Sequence, residues 1–136
     1  MQRVAFICTH NSCRSQVAEA FSRHITYGAY EAFSAGANPA PAIDRGAVLV
    51  MKRHFGIDML EGGQYPKGLE ELPDKVDGVV TMGCQDECPV VPSTWLEHWD
   101  LPDPTGGSEE EYFTVLEKVR EKVIELADRI GGDVDD

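Results

Sequence analysis

Four cysteines and one arginine carry the most suggestive chemistry in this 136-residue sequence. Cys8 and Cys13 bracket the polar stretch Thr9-His10-Asn11-Ser12, and Arg14 and Ser15 follow directly. Cys84 and Cys88 form a second pair, closed by Pro89. Three chemistries are open to such a set: zinc ligation, disulfide exchange, or attack by one activated thiolate. Four thiolates can hold zinc, but their paired spacing is usually tighter than Cys-x4-Cys, and an arginine beside them has no obvious task. With no secretory leader in the sequence, structural disulfides are the weaker reading for a chain expected in the reducing cytoplasm.

Elements that would position these residues are legible in the hydrophobic pattern. Residues 3–7 read as a short buried strand running into the first loop, and Val17, Phe21 and Ile25 mark the helix after it. Further strands are expected at 30–34, 76–82 and 95–99. A second helix carries Ala47, Val48, Met51 and Phe55 and ends at Gly56. Residues 60–75 read as irregular with one helical turn near 69–72, and 84–92 as a loop broken by Pro89 and Pro92. The last helix starts at Glu109, sets Tyr112, Leu116, Val119, Val123, Leu126 and Ile130 on one face, and stops at Gly131-Gly132. This predicts one α/β domain over 1–132, with a small parallel sheet of about four strands flanked by helices, and an acidic tail over 133–136. Ligands in such sheets bind beyond the carboxyl ends of the strands, so Cys8 and Cys84 are expected at one sheet edge.

A strand, a short polar loop and a helix start aim backbone N–H groups and a helix dipole at one point. That field holds an anion and stabilises a thiolate, which makes Cys8 the expected nucleophile. Arg14 adds a planar cationic fork for two oxygens of a tetrahedral oxyanion. Thr9 to Ser15 then line the oxyanion site. Asn11 suits a left-handed backbone, and the hydroxyls of Ser12 and Ser15 can bond the thiolate or cap the helix. His10 either adds positive charge beside the anion or faces solvent. Cys13 is either a thiol packed at the loop base or a second reactive group.

Charge narrows the partners. The net charge is −12, and it is uneven: residues 1–60 hold six Lys/Arg against four Asp/Glu, and the rest hold six against twenty. Nucleic acid and anionic membrane are poor partners for such a chain, and an anion site fares better in the first half.

Cys8-x5-Arg14-Ser15 resembles the phosphate loop of low-molecular-weight protein tyrosine phosphatases and of the arsenate reductases built on that fold. The likeness to thioredoxin-coupled arsenate reductases continues in VVTMGC with Cys84 and Cys88, in Ser34-Ala35-Gly36, in HFGID and in HWD…DP, over about residues 3–130. It implies reduction of arsenate to arsenite by a three-cysteine relay. Cys8 attacks arsenate, Cys84 attacks Cys8 and expels arsenite, and Cys88 carries the disulfide outward for thioredoxin to reduce. Asp103, before Pro104, is implied as the acid for the departing oxygen, with Asp100 as a fallback and a pKa raised by burial. Phosphate or sulfate would compete as oxyanions.

Some relatives bind a monovalent cation through an asparagine, a glutamate, a serine and an aspartate. Asn11, Glu19 and Ser34 match the first three, but Gln64 stands near the fourth, so weak or absent cation binding is expected. No metal or tightly bound cofactor is expected either. The Cys84–Cys88 spacer is shorter than in the best-known thioredoxin-coupled members. The alternative is a phosphatase that hydrolyses phosphoesters through a phosphocysteine, with Cys13 as a protective disulfide partner of Cys8. The expected protein is a cytoplasmic monomer. His24, His54 and His98 read as single and unpartnered, and Trp95 and Trp99 as core or site-rim aromatics.

Overall fold

The computed structural model describes residues 1–83 and 90–131. Within them, strands β1 (Arg3–Cys8), β2 (Glu31–Gly36), β3 (Gly78–Thr81) and β4 (Trp95–His98) pair in parallel in the order β2-β1-β3-β4. Helices α1 (Arg14–Ile25), α2 (Arg45–Phe55) and α3 (Glu109–Gly131) complete the α/β architecture, with a 3₁₀ turn at Leu69–Glu71. The expected loop at 84–92 has its first six residues, Cys84 and Cys88 among them, outside the described residues. Gly132 and the expected tail at 133–136 lie outside them too.

β1 is apolar along nearly its whole length because it is covered on both faces, as a central parallel strand must be. Alternation sends Val4 and Phe6 into the larger core with apolar residues of α1, α2 and α3, where the Phe6 ring sits 5.5 Å from that of Trp99. Ala5 and Ile7 point the other way, into a smaller cluster with Ala35, Val76 and Val79, against which Leu69 and Leu72 pack. α3 buries Tyr112, Leu116, Val119, Val123 and Leu126, with Ile130 partly covered, as its periodicity requires. α2 ends on Gly56, whose φ of 69° lets its N–H bond back to Met51 O.

Strand ends differ from the sequence reading for a reason of register. β2 pairs residue by residue with β1 from Arg3↔Glu31 to Cys8↔Gly36, so it starts and finishes later than the apolar run at 30–34. β3 shrinks to four residues, the length over which Val4–Ile7 and Trp95–His98 both pair with it. Val76 and Met82, expected within that strand, stay buried just beyond its ends. Trp99 lies in the core, and Trp95 is partly buried beside it with Nε1 on Gln2 Oε1 at 2.8 Å.

The topology decides where a ligand can sit. The chain leaves β1 for β2 on one side and later enters β3 on the other, so the strand order reverses at the carboxyl end of β1. Cys8 is the last residue of β1. Among the described residues, no helix is long and apolar enough to cross a membrane.

Candidate active site

The segment from Cys8 to Arg14 curls because its outward-facing carbonyls are tied down. Thr9 O, His10 O and Ser12 O accept from the amides of Asn38, Ala40 and Asp44 at 2.8, 2.9 and 2.9 Å. In a planar trans peptide the N–H points opposite to the C=O. The amides of His10, Asn11 and Cys13 are thereby turned to the concave side. Asn11 takes the left-handed φ of 50° that closes the curl, as its residue type suggests. Its amide reaches Cys8 Sγ at 3.2 Å, and the Ser15 hydroxyl lies 2.8 Å from the same sulfur. The Asn11 amide and the Ser15 hydroxyl thus converge on the Cys8 sulfur at the base of the loop.

Over this loop opens a cleft of about 800 Å³, floored by Cys8 and flanked by Arg14, Gly83 and Asp103. Thr9, His10, Ser12 and Cys13 also line it, whereas Asn11 and Ser15 are fully buried beneath. Arg14 Nη1 donates to Leu101 O at 2.7 Å, and Nη2 stands 3.8 Å from Asp103 Oδ2. The guanidinium can lie there because residue 83 is glycine. Its φ is +74°, and a Cβ would fall 2.2 Å from Arg14 Nη1.

The arrangement brings Asp103 to the cleft, while Asp100 does not line it. Burial raises the Asp103 carboxyl, but the hydroxyl and amide of Thr105, helped by the charges of Arg14 and His10, pull it below its ordinary value. The raised acid anticipated from burial alone is therefore corrected. Thr105 Oγ1 and N donate to Asp103 Oδ1 at 2.6 and 3.1 Å, a local turn that outweighs partial desolvation of a half-exposed side chain.

Cys13 is a free thiol, as is Cys8. Burial pushes the Cys13 thiol far up, and the negative charges of Asp44 and Asp103 add to that. Of the two readings for this residue, the packed thiol agrees with its place in the core. His10 is exposed, with Nδ1 3.1 Å from Asn38 O at the cleft wall. Two other histidines do have partners: His54 Nε2 meets Glu109 Oε2, and His98 Nδ1 meets Thr81 Oγ1, both at 2.8 Å. Neither histidine lines the cleft.

Several functional positions escaped the sequence reading. Asn38 to Pro41 form a cleft wall, announced only as the breaker ANPAPA. Below the loop, Asn11 Oδ1 accepts from Gln16 Nε2 at 2.8 Å and from the Lys67 amide at 3.0 Å, while Asn11 Nδ2 donates to Ser15 Oγ at 2.8 Å. Gln64 supports this set through Nε2 on Gln16 Oε1 at 2.8 Å. No local signal marks Lys67 or Gln16, because their partners lie far away in the chain or in an irregular segment.

Known proteins show the same frame. The family described as low molecular weight phosphotyrosine protein phosphatase matches residues 3–135. The glutaredoxin arsenate reductase of a Synechocystis strain is 34% identical over 134 residues, spanning 96% of this chain and 99% of its own. A solved arsenate reductase in a phosphate-binding state superposes with a TM-score of 0.82 at 32% identity, over 96% of this chain and 99% of that one. A thioredoxin-dependent arsenate reductase of Corynebacterium glutamicum does so with a TM-score of 0.74 at 30% identity, over 96% of this chain and 62% of that one. Sequence, loop geometry and topology agree that the chain belongs to the low molecular weight phosphotyrosine protein phosphatase family, among its arsenate reductase members.

Proposed function

We propose that this protein is an arsenate reductase that works in the cytoplasm by a relay of Cys8, Cys84 and Cys88. The observation that carries the reading is the Cys8 thiol, held between the Ser15 hydroxyl and the Asn11 amide at the floor of an Arg14-lined cleft. Arsenate shares the tetrahedral shape and charge of phosphate, so inward amides and the Arg14 fork would hold its oxygens. Cys8 Sγ attacks arsenic, and one oxygen departs as water with a proton from Asp103. A bound oxyanion favours that protonation, since its charge lies against the carboxyl and draws on Arg14.

Cys84 then attacks Cys8 Sγ. The S–As bond breaks, its electron pair stays on arsenic, and As(V) leaves as arsenite while the two sulfurs join. Cys88 attacks Cys84, frees the Cys8 thiolate and leaves a Cys84–Cys88 disulfide. Two electrons from thioredoxin close the cycle, and the glutaredoxin arsenate reductase among the relatives makes glutaredoxin the reductant to compare. The enzyme acts as a monomer and needs no tightly bound cofactor, nucleic acid or membrane. Cys88→Ser is the test: one arsenite forms per enzyme and turnover stalls with Cys8 and Cys84 joined, as found by mass spectrometry after tryptic digestion. Full multiple turnover of that variant with thioredoxin would refute the relay.

The same cradle would hydrolyse a phosphoester through a phosphocysteine, and the matched family favours that second reading. Phosphate cannot accept the electron pair, so side-by-side rates on aryl phosphate and arsenate separate the two. Aryl phosphate turnover faster by orders of magnitude would make the protein a phosphatase.

A further inference from the structure

The relay makes no use of Glu19, although this carboxylate on α1 is only 2% exposed. Oε2 meets Arg23 Nη2 at 2.9 Å, from a side chain that is itself half exposed. Oε1 accepts from Ser34 Oγ and faces Lys67 Nζ at 3.4 Å. A carboxylate so deep needs a cation on its inner side, because an uncompensated buried charge is costly. Lys67 brings one: its side chain is 15% exposed, and Nζ also reaches Ser34 Oγ at 3.2 Å and the Tyr65 carbonyl at 3.3 Å. Three oxygens match the three donors of an ammonium.

A monovalent metal cation does not fit these residues. The ammonium stands among the oxygens such an ion would take, and Asn11 Oδ1 already accepts from Gln16 and from the Lys67 amide. Gln64 offers an amide bonded to Gln16 where an acid would be needed. The Lys67 backbone extends the effect. Its N–H holds Asn11, Asn11 holds Ser15, and Ser15 lies against Cys8 Sγ, while its carbonyl accepts from Gly36 at the end of β2 at 2.9 Å.

We infer that Lys67 is a positioning residue for Cys8, a built-in ammonium that neutralises Glu19, fixes Asn11 under the loop and takes the place of a monovalent cation. The inference rests on Cys8 as nucleophile. Wild-type protein, compared in potassium, sodium and tetramethylammonium chloride at equal ionic strength, is expected to show one melting temperature and one kcat/KM. Lys67→Ala is expected to lose roughly tenfold in kcat/KM and in the rate of Cys8 alkylation by iodoacetamide. Added ammonium or potassium restores part of both losses in the variant and changes neither in the wild type. Adding Glu19→Gln to Lys67→Met recovers melting temperature lost by Lys67→Met alone.

Potassium-specific stabilisation or activation of the wild type overturns the inference, and that arm needs no variant to fold. So does a Lys67→Ala protein with undiminished alkylation, or one whose loss no cation relieves. Alkylation and melting require no arsenate, so a failed relay leaves these readings intact and shows itself as absent arsenite in every salt.

Discussion

Gly83→Ala separates the part of residue 83 that serves the fold from the part that serves the oxyanion. An alanine there would keep a φ of +74°, which costs an L-residue about 1–2 kcal/mol. For a domain of this size that lowers the melting temperature by roughly 3–8 °C. The steric conflict is different in kind. The nearest atoms, Arg14 Nη1 at 2.2 Å and Cζ at 2.9 Å, belong to the end of a flexible side chain, so the guanidinium moves and the backbone stays. Moving it breaks the 2.7 Å bond to Leu101 O and takes the fork away from the cleft. Hydrogen bonds from a charged donor contribute about 1.5–3 kcal/mol, so kcat/KM should fall roughly 10- to 150-fold. Gly56→Ala is the control, because Gly56 has a φ of +69° and no atom within 4 Å of an added Cβ. It should lose similar stability and no activity. The assay is arsenite release with thioredoxin as reductant, well below both melting points, alongside thermal unfolding by circular dichroism. Gly83→Ala keeping kcat/KM within about twofold, or Gly56→Ala losing as much activity, would refute the reasoning.

Asn11→Ala removes the amide that bonds Gln16, Lys67 and Ser15, and should cost about 2–4 kcal/mol in urea unfolding. Asn11→Gly should regain about 1 kcal/mol of that by relieving the left-handed backbone; an equal loss in both variants would argue against strain. Cys13→Ala should retain arsenite formation, and iodoacetamide should label Cys8 before Cys13 in the wild type, because burial keeps the Cys13 thiol protonated. Labelling in the reverse order would place Cys13 in the chemistry. Glu97 is held below its ordinary value of 4.5, chiefly by its hydrogen bond from Arg129 on α3, against the opposing effect of burial. A depressed carboxylate stabilises the fold fully above its unfolded value and loses that contribution as pH falls through the folded one. Glu97→Gln should therefore cost about 1 kcal/mol or less at neutral pH and less than that near pH 3, on the falling side of the 4.5 of the unfolded carboxyl. A melting-temperature gap that is equal at both pH values would dismiss the linkage.

What the sequence revealed of the site follows from distance along the chain. Cys8, Asn11, Arg14 and Ser15 interact within one loop and the first turn of one helix, so their spacing is itself geometry. Strand and helix periods carried the fold for the same reason. Gln16 with Tyr65, Gln64 with Gln16, and Lys67 with Glu19 are joined across nearly fifty residues, one end of each pair in a segment without periodicity. Gln64 could be noticed as a missing acid, but nothing local said that Lys67 would fill the space. Asp103 failed in the opposite way. Its surroundings were read as burial, while Thr105, two residues away, supplied the donors that reversed the shift.

The stretch Asn38-Pro39-Ala40-Pro41 did carry information that the label of breaker concealed. Asn38 and Ala40 donate to Thr9 O and His10 O, whereas Pro39 and Pro41 have no N–H to donate. Both donors that this stretch has between Asn38 and Pro41 therefore face the loop, and the two prolines line the cleft. The loop's carbonyls are drawn outward by those donors, and its own amides turn inward to meet an anion. A proline spacing of two beside a Cys-x5-Arg loop is thus a readable sign of which way the loop's peptides face.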